Sequence, residues 1–185
     1  MLNIRDLSKS YGGVKAVNNV TLSLSDRKIV GLIGTNGAGK TSLFNLISGF
    51  NTADSGTADF EGNNVLNLQP SEISKLGMIR TFQTPTGFPK MTVMENMLVF
   101  SKKIQNGVFS NLFYLNKLSP EIYDQAESIL EDFGLVDKKD SWVMDLSAPE
   151  LKMLEFARAS MAKPKLMLLD EPAAGVNPAI LDQLN

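Results

Sequence analysis
Residues 29–49 read IVGLIGTNGAGKTSLFNLISG, and within them Gly34-Thr35-Asn36-Gly37-Ala38-Gly39-Lys40-Thr41 fits the spacing G-x-x-x-x-G-K-[ST]. Glycines let the backbone curl until successive N–H groups point at one spot, and the helix that follows adds the positive end of its dipole. Such a nest takes phosphate oxygens. Lys40 then reaches the outer phosphates as a compact charge, and the Thr41 hydroxyl stands where it can ligate Mg²⁺. A chance glycine turn would have the same letters. The setting argues against it: the apolar run at 29–33 predicts a strand before the loop, and TSLFNLISG predicts a helix after it, ending at Gly49.

Outward from this loop the chain reads as α/β. LNIRDL and VNNVTLSLS alternate apolar and polar residues, predicting half-buried strands joined at Gly12-Gly13. A further strand is expected over 78–82. Beyond it the period becomes helical through VMENMLVFSKK, PEIYDQAESILEDFG and APELKMLEFARASMA, and a strand returns at 166–169. The expected organisation is an α/β core over 1–83, a helical subdomain over 84–161, and the core resumed over 162–185. The chain shows no internal repeat and no low-complexity segment.

The strand at 166–169 ends in Asp170-Glu171. Asp170 sits where Mg²⁺ would be held, and Glu171, one residue further out, can orient or deprotonate an attacking water. An acidic strand end alone is commonly a solvated turn; beside a phosphate loop it acquires chemistry.

Composition narrows the field. The chain has 185 residues, 43% hydrophobic and 21% charged, enough for a real core. A net charge of −2 without a long basic run argues against nucleic acid as a partner. The absence of cysteine excludes disulfides and thiolate chemistry and suits a reducing cytosol. No apolar stretch approaches the ~18 residues of a membrane span, so membrane association is expected through a partner.

The order of these motifs resembles the ATPases of ABC transporters over essentially the whole chain. The resemblance implies a P-loop NTPase (RecA-like) α/β core with N-terminal antiparallel β strands and an inserted helical subdomain. It implies ATP and Mg²⁺ as ligands. Tyr11, in SKSYGG, matches the aromatic that stacks on adenine; the alternative is a hairpin tyrosine packed on its sheet. Gln83, closing IRTFQ, matches the glutamine that reaches Mg²⁺ and the attacking water. The implied nucleotide set is Tyr11, Gly34, Asn36, Gly37, Ala38, Gly39, Lys40, Thr41 and Ser42; Thr41, Gln83 and Asp170 are the metal set; Lys40, Gln83 and Glu171 serve the chemistry. Asn177 falls where the family has an aspartate that contacts the opposite subunit. IRTFQ with MTVMENMLV, and EPAAGVNP after the acidic pair, look like the subunits of branched-chain amino-acid importers, with urea and amide importers as close alternatives. Implied partners are a second ATPase subunit, membrane permease subunits and, indirectly, a solute-binding protein. The implied location is the cytoplasmic side of the cell membrane, peripheral through the permease.

Two departures stand out. Where the family reads LSGGQ, this chain has Leu146-Ser147-Ala148-Pro149-Glu150. In the family a serine hydroxyl and a glycine N–H of this loop hold the γ-phosphate bound to the other subunit. Ser147 is kept, but Pro149 has no N–H to offer, which points to a non-identical ATPase partner. Ser147-x-x-Glu150 is also a capping box, so the loop reads equally as a helix start without a phosphate role. Secondly, family members continue to a strand bearing a histidine that contacts the γ-phosphate, whereas this chain has no histidine and stops inside PAILDQLN. The expectation is a domain that is C-terminally incomplete, with an open sheet edge beside 166–169. A regulatory ABC subunit that binds ATP with little turnover is the first alternative, and a soluble ABC protein acting on ribosomes or DNA the second. Phe109, Phe113 and Tyr114 fit either packing within the lobe or contact with a permease helix.

Overall fold
A computed structural model describes residues 1–26, 29–81, 87–101 and 119–170. The chain forms two compact units, Met1–Met78 and Ile79–Asn185.

In the first unit, β1 (Leu2–Tyr11) and β2 (Val14–Leu24) form the expected antiparallel hairpin. Gly12 and Gly13 turn it with φ of +52° and +86°, a region that favours glycine. β1 also pairs antiparallel with β3 (Ser55–Phe60), and β4 (Asn63–Asn64) completes a sheet in the order β2-β1-β3-β4. Alternation buries Leu2 and Ile4 of β1 with Ala58 and Phe60 of β3, and a register shift between Ile4 and Leu7 turns Leu7 inward as well. The helix expected after the glycine loop is α1 (Lys40–Ile47), which buries Leu43, Leu46 and Ile47. α2 (Pro70–Leu76) was not evident from apolar periodicity. It starts on Pro70, and Glu72 accepts from the Gln69 amide at 2.8 Å.

The strand expected at 29–33 does not form. Its side chains stand in solvent, Ile29 at 91% and Ile33 at 95% exposure, and no strand among the described residues of its unit pairs with it. A short apolar run defines a strand only when a neighbouring ladder takes its amides and a covering layer takes its side chains.

Leading into the second unit, β5 (Met78–Arg80), which begins on the last residue of the first unit, pairs with β6 (Leu166–Leu168). The Thr81 amide donates to the Leu168 carbonyl at 3.0 Å, carrying the pairing just past β5. Three helices pack together here: α3 (Val93–Val99), α4 (Pro120–Asp132) and α5 (Ala148–Met161), burying Met97, Leu98, Leu130, Leu154 and Met161 among others. α5 is buried almost all round, including Lys152, Glu155 and Arg158. Lys152 meets Glu155 at 2.9 Å, and the Arg158 guanidinium lies 5.0 Å from the Phe100 ring centre. Phe109, Phe113 and Tyr114 lie outside the described residues.

Candidate nucleotide site and signature loop
The glycine loop is closed by its own backbone. Ala38 donates to the Thr35 carbonyl at 3.2 Å, and Lys40 Nζ arcs back to the carbonyls of Gly34 and Thr35 at 2.7 and 2.9 Å. Gly37 and Gly39 take φ of +80° and +90°. At Gly39 only glycine fits, since a Cβ there would lie 1.9 Å from the Ala16 carbonyl oxygen on β2. The loop is thereby seated on the hairpin and aimed into α1.

That helix begins without a cap. Gly39 stands at the N-cap with no side-chain acceptor, and the first turn holds no acid. The first intrahelical bond runs from Leu43 to the Gly39 carbonyl, at 2.9 Å, so the amides of Lys40, Thr41 and Ser42 precede any helical acceptor. Three aligned donors, a dipole end and an adjacent ammonium form an anion site. Asn36 and Thr41 stand exposed on its rim.

Tyr11 occupies the end of β1 and is 41% exposed, so it is not sealed against its sheet. Its phenolic oxygen accepts from Asn51 Nδ2 at 2.6 Å, and Lys9 Nζ lies 5.5 Å from the ring centre. Asp54 holds both Lys9 Nζ and the Ser10 amide at 2.7 Å. Those contacts, with the Lys9 ion pair, hold the exposed Asp54 carboxyl below its ordinary range. Asn51 and Asp54 were not singled out in the sequence.

In the second unit Asp170 follows β6 and is buried, with Oδ2 paired to Arg80 Nη2 at 3.2 Å. Gln83, Glu171 and Asn177 lie outside the described residues. No cluster of three or more metal-ligating side chains occurs among the described residues. The Thr41 hydroxyl in the first unit and the Asp170 carboxylate in the second are each, taken singly, the kind of hard oxygen donor that Mg²⁺ accepts.

The loop at 147–150 is the second helix start of interest, and it is self-satisfied. The Ser147 amide and hydroxyl both donate to Glu150 Oε2 at 2.7 Å, and the Glu150 amide returns to Ser147 Oγ at 3.5 Å. These two bonds from Ser147, assisted by Lys138 at 3.9 Å, hold the Glu150 carboxyl below its ordinary 4.5. The expected capping box is therefore present at this helix start.

A family model described as ABC transporter matches residues 17–174. This chain belongs to the ABC transporter family. By class this ABC protein is an ATP hydrolase with a P-loop NTPase α/β fold. It is 43% identical over 182 residues to a probable branched-chain amino acid transport ATP-binding protein LivG of Archaeoglobus fulgidus, covering 97% of this chain and 70% of that one. The high-affinity branched-chain amino acid transport ATP-binding protein LivG of Escherichia coli K12 is 37% identical over 189 residues, covering all of this chain and 74% of its own. Among solved structures, a nucleotide-free ATP-binding cassette from an ABC transporter superposes with a TM-score of 0.80 at 35% identity, covering 99% of this chain and 73% of that one. An ADP conformation of such a cassette gives 0.80 at 34% identity with the same coverage.

Proposed function
We propose that this ABC ATPase is the subunit that binds and hydrolyses ATP to drive import of branched-chain amino acids, or a related amide or urea solute, through a membrane permease. The names carried by its relatives support the solute class. The observation that carries the biochemical reading is the uncapped start of α1, with its donors converging beside Lys40. The core would comprise 1–83 and 162–185, with the helical subdomain at 84–161 between them. No helix among the described residues is long and apolar enough to cross a membrane. That accords with peripheral attachment, through the permease, at the cytoplasmic side.

In this reading Tyr11 stacks on the base, and the amides of Lys40, Thr41 and Ser42 bind β- and γ-phosphate oxygens. Lys40 leaves its two carbonyl partners for the phosphates. Thr41, Gln83 and Asp170 would hold Mg²⁺, which when bound neutralises charge on the phosphate oxygens. Glu171 orients the attacking water and accepts its proton. Catalysis is then positioning and electrostatic stabilisation rather than covalent chemistry. Lys40→Ala should weaken ATP binding by roughly 10- to 100-fold, the scale of a charge-assisted contact. Glu171→Gln should bind ATP normally and lose about 10²- to 10⁴-fold in turnover. A full-length transporter hydrolysing ATP normally with Glu171→Gln would remove that residue from the mechanism.

A second reading has one specific observation behind it. Glu150 fills the signature-loop helix start with its own carboxylate, as in a subunit that closes on ATP while turning little over. Comparing ATP affinity with turnover in the assembled transporter separates the two.

A further inference from the structure
The contacts around Tyr11 lead back to the helix that starts at the phosphate loop. Asn51 lies just beyond the C-terminal end of α1, where the Phe50 and Asn51 amides both donate to the Asn45 carbonyl, at 2.9 and 3.1 Å. Its side-chain amide then donates to the Tyr11 hydroxyl at 2.6 Å. From the other side, Asp54 grips the Ser10 amide and Lys9 Nζ, while its own amide donates to the Ser8 carbonyl at 2.9 Å. A half-exposed tyrosine at a strand end next to a double-glycine turn would otherwise be free to swing about χ1. Here its tip is fixed to the far end of the element whose near end binds phosphate.

We infer that Asn51 is a positioning residue for the nucleotide base: through the Tyr11 hydroxyl it sets the ring at a fixed distance from the phosphate loop, with α1 as the spacer. The inference rests on the reading of Tyr11 as the stacking ring. Lys9, lying over the ring and paired with Asp54, occupies one approach to it, and Tyr11 as a whole is 41% exposed. An anchored ring loses less freedom when a base stacks on it, so the tether contributes to binding of nucleosides and not of bare phosphates.

The test uses full-length protein, with Mg-ATP and Mg-tripolyphosphate as probes in equilibrium titrations. Asn51→Ala and Tyr11→Phe should each raise the Kd for ATP about three- to tenfold, the scale of one hydrogen bond. Their double variant should bind no worse than either alone, because both remove the same bond. Tyr11→Ala should lose about tenfold or more, the scale of base stacking. Tripolyphosphate should bind all four variants like the unaltered protein. If Tyr11→Ala binds ATP normally, the stacking reading and the inference fall together. If Tyr11→Ala weakens ATP but Asn51→Ala and Tyr11→Phe do not, the inference alone falls. Parallel loss of tripolyphosphate with Asn51→Ala would reduce Asn51 to a structural role and overturn it equally. Should Asn51→Ala not fold, Tyr11→Phe decides the matter by itself, since it keeps the ring and removes only the tethered oxygen.

Discussion

The loops at 34–41 and 147–150 pose the same physical problem and solve it in opposite ways. Each delivers the chain into a helix whose first amides need acceptors. Before α1 the sequence supplies glycines, a lysine and no acid, so the donors are left for something outside the chain. Before α5 it supplies Ser147 and Glu150, which close on one another, and Pro149, which removes a donor altogether. A helix start with its own carboxylate has little left for a phosphate. The two helix starts are thus unequal in this chain, one without a side-chain cap and one internally capped.

The comparison breaks most easily at Gly39. Gly39→Ala would place a methyl against the Ala16 carbonyl and impose a backbone strain of about 1–3 kcal/mol before any clash is counted. ATP binding should fall by more than about tenfold and the melting temperature should drop, as calorimetry with and without ATP would show. An unchanged protein would mean the loop is not held on β2 as described.

The signature loop is tested within the assembled transporter. If the partner ATPase is non-identical and retains a glycine donor, Pro149→Gly here should raise turnover at the site built on the partner's phosphate loop. Losing one preorganised donor typically costs on the order of 10²–10³ in rate, and that sets the upper bound of the gain. Lys40→Ala should correspondingly cost more turnover than the equivalent change in the partner. Two copies of this chain hydrolysing ATP at full rate would refute the asymmetry.

Smaller effects sharpen the capping half of the contrast. Ser147→Ala removes the cap, worth about 1 kcal/mol, which for a chain of this size is a shift of about 2–4 °C in melting temperature. The pH dependence follows from Glu150. Its carboxyl is depressed in the folded protein, so its contribution is present above the ordinary carboxylate pKa and is lost as pH falls through the folded value. The stability gap between the unaltered protein and Glu150→Gln should therefore be steady at neutral pH and shrink in acid. A gap that grows on acidification would contradict the depressed carboxyl.

What could be read from the sequence was what depends on near neighbours. The hairpin at Gly12-Gly13, α1 with its glycine loop, the helices at 93–99, 120–132 and 148–161, and the Ser147–Glu150 box are all set by spacings of a few residues. What depends on distant partners was not legible. The run at 29–33 has strand composition, yet its amides find no ladder among the described residues of its unit. Lys152, Glu155 and Arg158 look like a solvated helix face in sequence, yet all three are buried: Lys152 and Glu155 pair with each other along α5, and Arg158 lies over the Phe100 ring, a partner that only the tertiary fold supplies. The tether on Tyr11 joins positions forty residues apart, and no local pattern announces it.

The most direct test of the open-versus-closed account is equilibrium binding of Mg-ATP to the full-length protein in three forms: unaltered, Lys40→Ala and Ser147→Ala. The account predicts a loss of roughly 10- to 100-fold for Lys40→Ala, and for Ser147→Ala an affinity unchanged within about twofold despite a lowered melting temperature. Equal losses for the two variants, or a loss confined to Ser147→Ala, would contradict it.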